Sequence, residues 1–288
     1  FGLIRCIVGI FMFGIQTYFI SQALGYLIRI FLFSFDPSLL DNQIFLIFFL
    51  GMNLIDWVSI IIAIIFQGFL FSLGMNFNKK IIIFSATTVY LGMILFFFTV
   101  LLSDVKFTSQ AFLDILDLGN FLDKNNLAPT LTVAGTMFAY FSIVLLTFGD
   151  FSRYVKNENE LQKGNLSLIL NLIIFSSIAL FIIAGVDGFL KLDPENLSRI
   201  LTNPKDIIGK IDNLLVTNLV LILIIVASAS TNLIANFIPS QYTLINLIPS
   251  SLSIKSAGTI IVILGSVIGI FWLTYLSQIG ILSFIDTF

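Results

Sequence analysis

The sequence predicts an all-α protein, a polytopic bundle of transmembrane helices, and three observations carry that prediction. Hydrophobic residues make up 58% of the chain and charged residues only 10%, against about 25% charged in soluble domains. Mean hydropathy is +1.07. The apolar residues gather into about seven stretches of some 20 residues, the length an α-helix needs to cross a hydrocarbon core of about 30 Å.

The first span is expected at about 6–33 and contains GIFMFGIQTYF, with Gln16 near its middle. Beside it, Gly14 lacks a side chain, so another backbone or a ligand can approach there. Asp36-Pro37 and Asp41 mark the loop that follows. A second span, 43–66, holds Asp56 beside Trp57, and a carboxylate at membrane depth is by default a functional candidate. Residues 67–80 read as a connecting turn that ends in Lys79 and Lys80, and the third span covers 81–103.

The polar stretch 104–128 carries Asp104, Asp114, Asp117 and Asp123 and reads as a solvated loop with a short amphipathic helix. The fourth span, 129–149, combines Gly135 with Tyr140 and Phe141 and runs into DFSRYVKNENE. Its aromatic residues serve packing, or, near a helix break, stack on a flat ligand. Asp150 and Arg153 stand three apart and read as an ion pair on one helix face. A fifth span at 166–190 and a mixed-charge loop at 191–213 come next. The sixth, 214–238, is expected to end at Pro239, and the seventh covers 256–280. All of it reads as a single transmembrane domain over 1–288. Phe1 opens inside an apolar run and Phe288 closes as another begins, which reads as a stretch of a longer protein.

With no histidine and one cysteine, Cys6, a His-based triad, a catalytic zinc centre and an internal disulfide are excluded or disfavoured. The chain contains no Gly-rich phosphate loop for ATP and no basic cluster for nucleic acid. Asp56 is the one carboxylate expected deep in a span, so convergent acid–base machinery is missing and an enzyme is not expected. Arg5, Lys79, Lys80, Arg153, Lys156, Lys163 and Lys255 lie close to span ends on one side, which favours that side as cytoplasmic.

The sixth span holds the densest polar cluster. Ala227, Ser230 and Thr231 stand at i, i+3 and i+4 and share one helix face, where two hydroxyls and a backbone carbonyl suit a small hard cation. Asn232 and Asn236, four apart, share a neighbouring face, and two carboxamides, each donor and acceptor, suit a planar polar ligand. The same residues, and Gln16, also serve as interhelical hydrogen-bonding groups in membrane bundles, and spacing leaves both uses open.

Three segments carry a resemblance. STNLIANFIPSQYTLINLIPSSLSIKSAG resembles the eighth helix and following segment of the nucleobase:cation symporter-1 family, the permeases for cytosine, purines, uracil, thiamine, allantoin and hydantoins. FGIQTYF is similar to that family's third helix, and FGDFSRYVK to the signature that closes its sixth; their order and spacing agree over essentially the whole chain. The resemblance implies a five-plus-five inverted-repeat transporter with broken helices and a midplane site, of which this chain would hold the third to ninth helices. It implies that Gln16 and Asn236 hydrogen-bond the substrate ring, that Asn232 lines the pocket, and that the Ala227 carbonyl and the Ser230 and Thr231 hydroxyls bind Na+. Where the hydantoin-carrying members stack their ligand between tryptophans, this chain has Met12 on the third helix and Tyr140 or Phe141 on the sixth. Methionine can cover a ring face but does not stack as an indole does.

The function expected from these features is secondary, Na+-coupled import of a nucleobase or related planar heterocycle, by a monomer in the plasma membrane, the bacterial inner membrane. No cofactor and no nucleic-acid partner are expected. Proton coupling through Asp56, or a scaffold without transport, are the alternatives.

Overall fold

The structure is a computed structural model and describes residues 2–41, 47–116, 119, 127–128, 130–135, 138, 148–189 and 214–272. Helices dominate throughout. They are α1 (Gly2–Phe35), α2 (Leu54–Ser72), α3 (Met75–Ser103), α4 (Val105–Leu116), α5 (Phe148–Ser152), α6 (Glu158–Phe189), α7 (Leu214–Thr231), α8 (Ile238–Leu247) and α9 (Ile254–Phe271). A π-helical segment, Asn232–Phe237, joins α7 to α8. Among the described residues six helical stretches are long and apolar enough to cross a membrane: Gly2–Phe35, Leu54–Ser72, Met75–Leu102, Glu158–Ile183, Leu214–Leu247 and Ile254–Phe271. Most of the expected fourth span lies outside the described residues.

Several boundaries differ from the sequence expectation, each for a local reason. The second span starts at Leu54, later than residue 43, because Asn53 caps it: Asn53 Oδ1 accepts the Asp56 N–H while Asp56 Oδ2 accepts the Asn53 N–H, a reciprocal capping box. The stretch 67–80 is almost wholly helical instead of a turn. Only Leu73 and Gly74 separate α2 from α3, and Gly74, at φ +91°, takes the left-handed conformation that reverses the chain. The amphipathic helix expected in 104–128 is α4. Just after α1, hydrogen bonds from Ser38 hold the exposed Asp36 carboxyl below its ordinary range and start a 3-10 turn over Pro37–Asp41.

Pro239 does not end the sixth span; the helix runs on to Leu247. A proline ring normally collides with the carbonyl four residues back and removes one hydrogen bond. Here the preceding turn widens, and the Ile238 N–H reaches back five residues to Leu233 O, so the proline follows a turn that is not regular α-helix.

The chain divides into two compact units, residues 1–88 with 221–288, and residues 89–220. In the first, α1 packs against α2, α8, α9 and the π segment. Glycines set a close crossing of α1 and α9. A methyl on Gly14 would collide with the Gly265 carbonyl and lie 2.9 Å from Gly269 N, and one on Gly269 would lie 2.7 Å from Gly14 O. Small residues four apart let two backbones approach and gain dispersion contacts where apolar burial offers no advantage over lipid. Phe13, fully buried, fills the space beside this crossing, with its ring centroid 6.4 Å from Phe71 and 6.1 Å from Phe237.

In the second unit α4 lies on α6. Phe112 and Phe181 approach to 4.1 Å between centroids above a core of Val100, Ile182 and Val186. Gly185 leaves the room that Val100 and Thr108 occupy. Tyr90 Oη, on α3, donates to Asn171 of α6, 2.9 Å from its side-chain oxygen.

Candidate functional site

The polar centre of the first unit is a chain of carboxamides that ties three helices together. Thr17 of α1 donates its hydroxyl to the Phe13 carbonyl at 2.8 Å, as a Ser or Thr inside a helix commonly does. Its oxygen accepts from Gln67 Nε2 of α2 at 3.1 Å, and the same Nε2 also donates to the Ala63 carbonyl at 3.3 Å. Gln67 Oε1 then accepts from Asn232 Nδ2 at 2.8 Å, and Asn232 Oδ1 accepts from Asn236 Nδ2 at 2.9 Å. Asn232 Nδ2 further donates to Phe13 O at 3.2 Å. Thr17, Gln67 and Asn232 are fully buried, at 0% exposure, so each of these bonds replaces a water that the site excludes.

Asn232 and Asn236 occupy the π segment, which puts them in the one widened stretch of the α7–α8 helix. Returning from i→i−5 to i→i−4 pairing leaves one carbonyl without an amide partner, and such segments recur at functional sites. The hydroxyl face of Ala227, Ser230 and Thr231 forms the last turn of α7, immediately before the widening, and all three are half-buried. Hydroxyls and backbone carbonyls are all oxygen donors, the ligand type that a small hard cation takes.

Of the α1 residues singled out in the sequence, Gln16 is the one with an unanswered polar atom: its Oε1 is buried and has no hydrogen-bond partner among the described residues. Leaving an acceptor in that state costs about 1–3 kcal/mol, a cost that any hydrogen-bond donor brought to it would offset. Met12 packs beside the buried cluster of Ile15, Tyr18, Ile60 and Trp272. Gly14 is occupied by a backbone, not by space for a ligand: the α9 crossing at Gly265 and Gly269 fills the position where a side chain would be. Tyr140 and Phe141 lie outside the described residues.

The acidic candidates resolve into ion pairs. Asp56 is not deep in a span; it stands in the first turn of α2, and its Oδ1 is 2.7 Å from Arg29 Nη2 of α1. Its other oxygen belongs to the capping box, so both lone-pair edges of the carboxylate are engaged. Asp150 pairs with Arg153 at 2.7 Å across one helical turn, as the i, i+3 spacing predicts.

Sequence reasoning missed Gln67 and Thr17. Gln67 sits in IIFQGFLFS, where a carboxamide next to a glycine read as the end of the span. The signal that could have identified it is the run FLFS, which keeps the segment apolar beyond the glycine.

Comparison with known proteins agrees with the motifs. The model of a family described as permeases for cytosine/purines, uracil, thiamine and allantoin matches residues 2–288. A purine-uracil permease NCS1 of Arabidopsis thaliana is 23% identical over 129 residues, 45% of this chain and 20% of that protein. The chain thus matches about a fifth of that relative's length. No solved structure matches the chain. With a family model that matches nearly end to end, the chain belongs to the permease family for cytosine and purines, uracil, thiamine and allantoin.

Proposed function

We propose that the protein is a Na+-coupled secondary transporter that imports a nucleobase or related planar heterocycle across a plasma membrane, the inner membrane of a bacterium. The observation that carries this reading is the buried carboxamide chain that ends on Asn236 within a widened helical turn. Asn236 Nδ2 is engaged within the protein, whereas its Oδ1 takes part in none of the hydrogen bonds the described residues make. Together with the buried, unpartnered Oε1 of Gln16, it offers acceptors to the ring N–H groups of a lactam or imide. Asn232 supports the pocket from behind, and Met12 supplies polarizable apolar surface on α1.

Na+ binds at the Ala227 carbonyl and the Ser230 and Thr231 hydroxyls, one helical turn from the carboxamides. Ion and substrate then share one distorted segment, and each raises the other's affinity by the same factor. Asp56 offers little support for proton coupling, because Arg29 and the capping box engage its carboxylate.

Uptake of labelled cytosine, uracil, hypoxanthine, allantoin and a hydantoin, measured on the intact protein with Na+ or choline outside, tests the reading. Na+-dependent uptake of one compound, lost in Asn236→Ala and shifted to higher Na+ concentration in Thr231→Ala, is expected. Uptake driven by acid and indifferent to Na+ overturns the coupling ion. No uptake of any of them, from protein present in the membrane, overturns the substrate class.

A further inference from the structure

We infer that Gln67 is a positioning and specificity-determining residue: through Asn232 it fixes the carboxamide of Asn236 so that the oxygen is turned to the ligand, and the pocket therefore selects substrates that present a ring N–H. The inference rests on the reading that Asn236 meets the substrate, and adds to it the residue that sets the direction of that hydrogen bond.

The direction follows from chemistry rather than from the choice of amide rotamers. A side-chain amide can be flipped without changing its shape, so a chain of amides alone has two equivalent polarities. Here two backbone carbonyls, which only accept, remove that freedom. Gln67 donates to Ala63 O, and so its nitrogen points along its own helix and its oxygen toward Asn232. Asn232 donates to Phe13 O, so its nitrogen points toward α1 and its oxygen toward Asn236. The Thr17 hydroxyl spends its single proton on Phe13 O and can only accept from Gln67. Reversing the amide of Gln67 or of Asn232 would set acceptors against each other at positions with no exposure and break the bonds each makes through both its nitrogen and its oxygen; reversing Asn236 would set its oxygen against Asn232 Oδ1. Asn236 therefore must donate to Asn232 Oδ1, which leaves its own oxygen for the ligand.

A site built around a fixed acceptor rejects a ligand whose N–H is replaced by N–CH3, since the buried oxygen is then left without a donor. Gln67 sits 165 residues from Asn232 in sequence and makes no direct bond to Asn236, so its effect must pass through Asn232.

The test compares wild type with Gln67→Met, which keeps the side-chain length and loses the amide, in uptake of the carried heterocycle and of its N-methylated derivatives. The expected result is a KM raised about tenfold, the loss of one oriented hydrogen bond, with the maximal rate at fixed membrane abundance little changed. Discrimination between the N–H parent and at least one N-methyl derivative should also collapse. Unchanged KM and unchanged discrimination overturn the inference. Gln67→Leu serves if Gln67→Met does not reach the membrane. A second measurement is independent of any substrate: melting temperatures of Gln67→Met, Asn236→Ala and the double variant in detergent. Since the two side chains do not touch, a double loss smaller than the sum is expected only if Asn232 links them. Strictly additive losses overturn the relay. If the wild type carries no heterocycle while the losses are non-additive, the transport reading falls and the relay stands.

Discussion

Arg29 and Asp56 meet at 2.7 Å, and they pin the far end of α1 to the first turn of α2. The same carboxylate closes the capping box with Asn53, and Arg29 Nη2 also lies 3.4 Å from Asn53 Oδ1, so three side chains form one polar knot. Both charged groups are part-exposed, at 29% and 17%, which screens the ion pair and limits its worth. Asp56→Ala should lower stability by about 2 kcal/mol, roughly half from the lost cap and half from the stranded arginine. Asp56→Asn can still accept the Asn53 N–H and should lose about 1 kcal/mol. Thermal unfolding in detergent gives these values. Uptake by Asp56→Asn should keep its wild-type ion dependence, and a change from acid-stimulated to acid-insensitive uptake would make Asp56 the coupling group after all.

Backbone proximity makes Gly14 intolerant in a way that its neighbours are not. A methyl there meets Gly265 O, Ile268 Cβ at 2.8 Å and Gly269 N at 2.9 Å, two of them backbone atoms that cannot swing aside. Gly14→Ala should therefore separate α1 from α9 and cost about 1–3 kcal/mol through overpacking. Gly164, inside α6, has nothing within 4 Å of an added Cβ, and Gly164→Ala should stabilise by about 0.5–1 kcal/mol through helix propensity alone. Melting temperatures moving in opposite directions are the expected pattern; two equal shifts would contradict the crossing.

How much of this was legible beforehand depended on whether the information was local. Apolar length gave the spans, since a bilayer imposes it residue by residue. Asn232 and Asn236 were marked by their spacing, and so was the Asp150–Arg153 pair. Gln67 was not legible, because its partner stands 165 residues away and its neighbour Gly68 imitates a helix end. Asp56 was misplaced in depth for a related reason. Hydropathy cannot tell an apolar loop approaching a membrane from the first turn within it, and only Asn53, three residues earlier, marked the true start. Gly14 was read as room for a backbone or a ligand, and the choice needed Gly265 and Gly269, some 250 residues on, which only the fold supplies.

The hydroxyl face of α7 should be separable from stability. Ser230 and Thr231 are half-buried, and neither enters the carboxamide chain. Thr231→Ala removes one candidate oxygen ligand and little packing, so its melting temperature without Na+ should match the wild type within about 2 °C, a surface-like effect. The Na+ concentration for half-maximal uptake should rise at least about tenfold, the share of one ligand in a weak site. Titration of uptake against Na+ at constant ionic strength reads this directly. An unaltered Na+ dependence in both Ser230→Ala and Thr231→Ala would remove this face from the ion site.

Pro239 links local backbone geometry to the position of the carboxamides. Without its ring, the turn over Asn232–Phe237 has no steric reason to remain widened, and regular i→i−4 pairing gains a hydrogen bond from the restored N–H. Pro239→Ala should leave stability unchanged or raise it by about 1 kcal/mol, since a helix-interior proline is costly. Closing a π turn removes one residue from the register, however. Relative to Leu247 and the rest of α8, Asn232 and Asn236 would then rotate by about 100°, the turn per residue of an α-helix. Asn232 Nδ2 could no longer reach both Phe13 O and Gln67 Oε1, which lie on different helices. The expected variant is a well-folded protein with uptake reduced at least about tenfold, the signature of a strained segment kept for function at the expense of stability. If Pro239→Ala melts higher and still transports with wild-type KM, the widened turn is a consequence of the proline alone and has no part in holding the site.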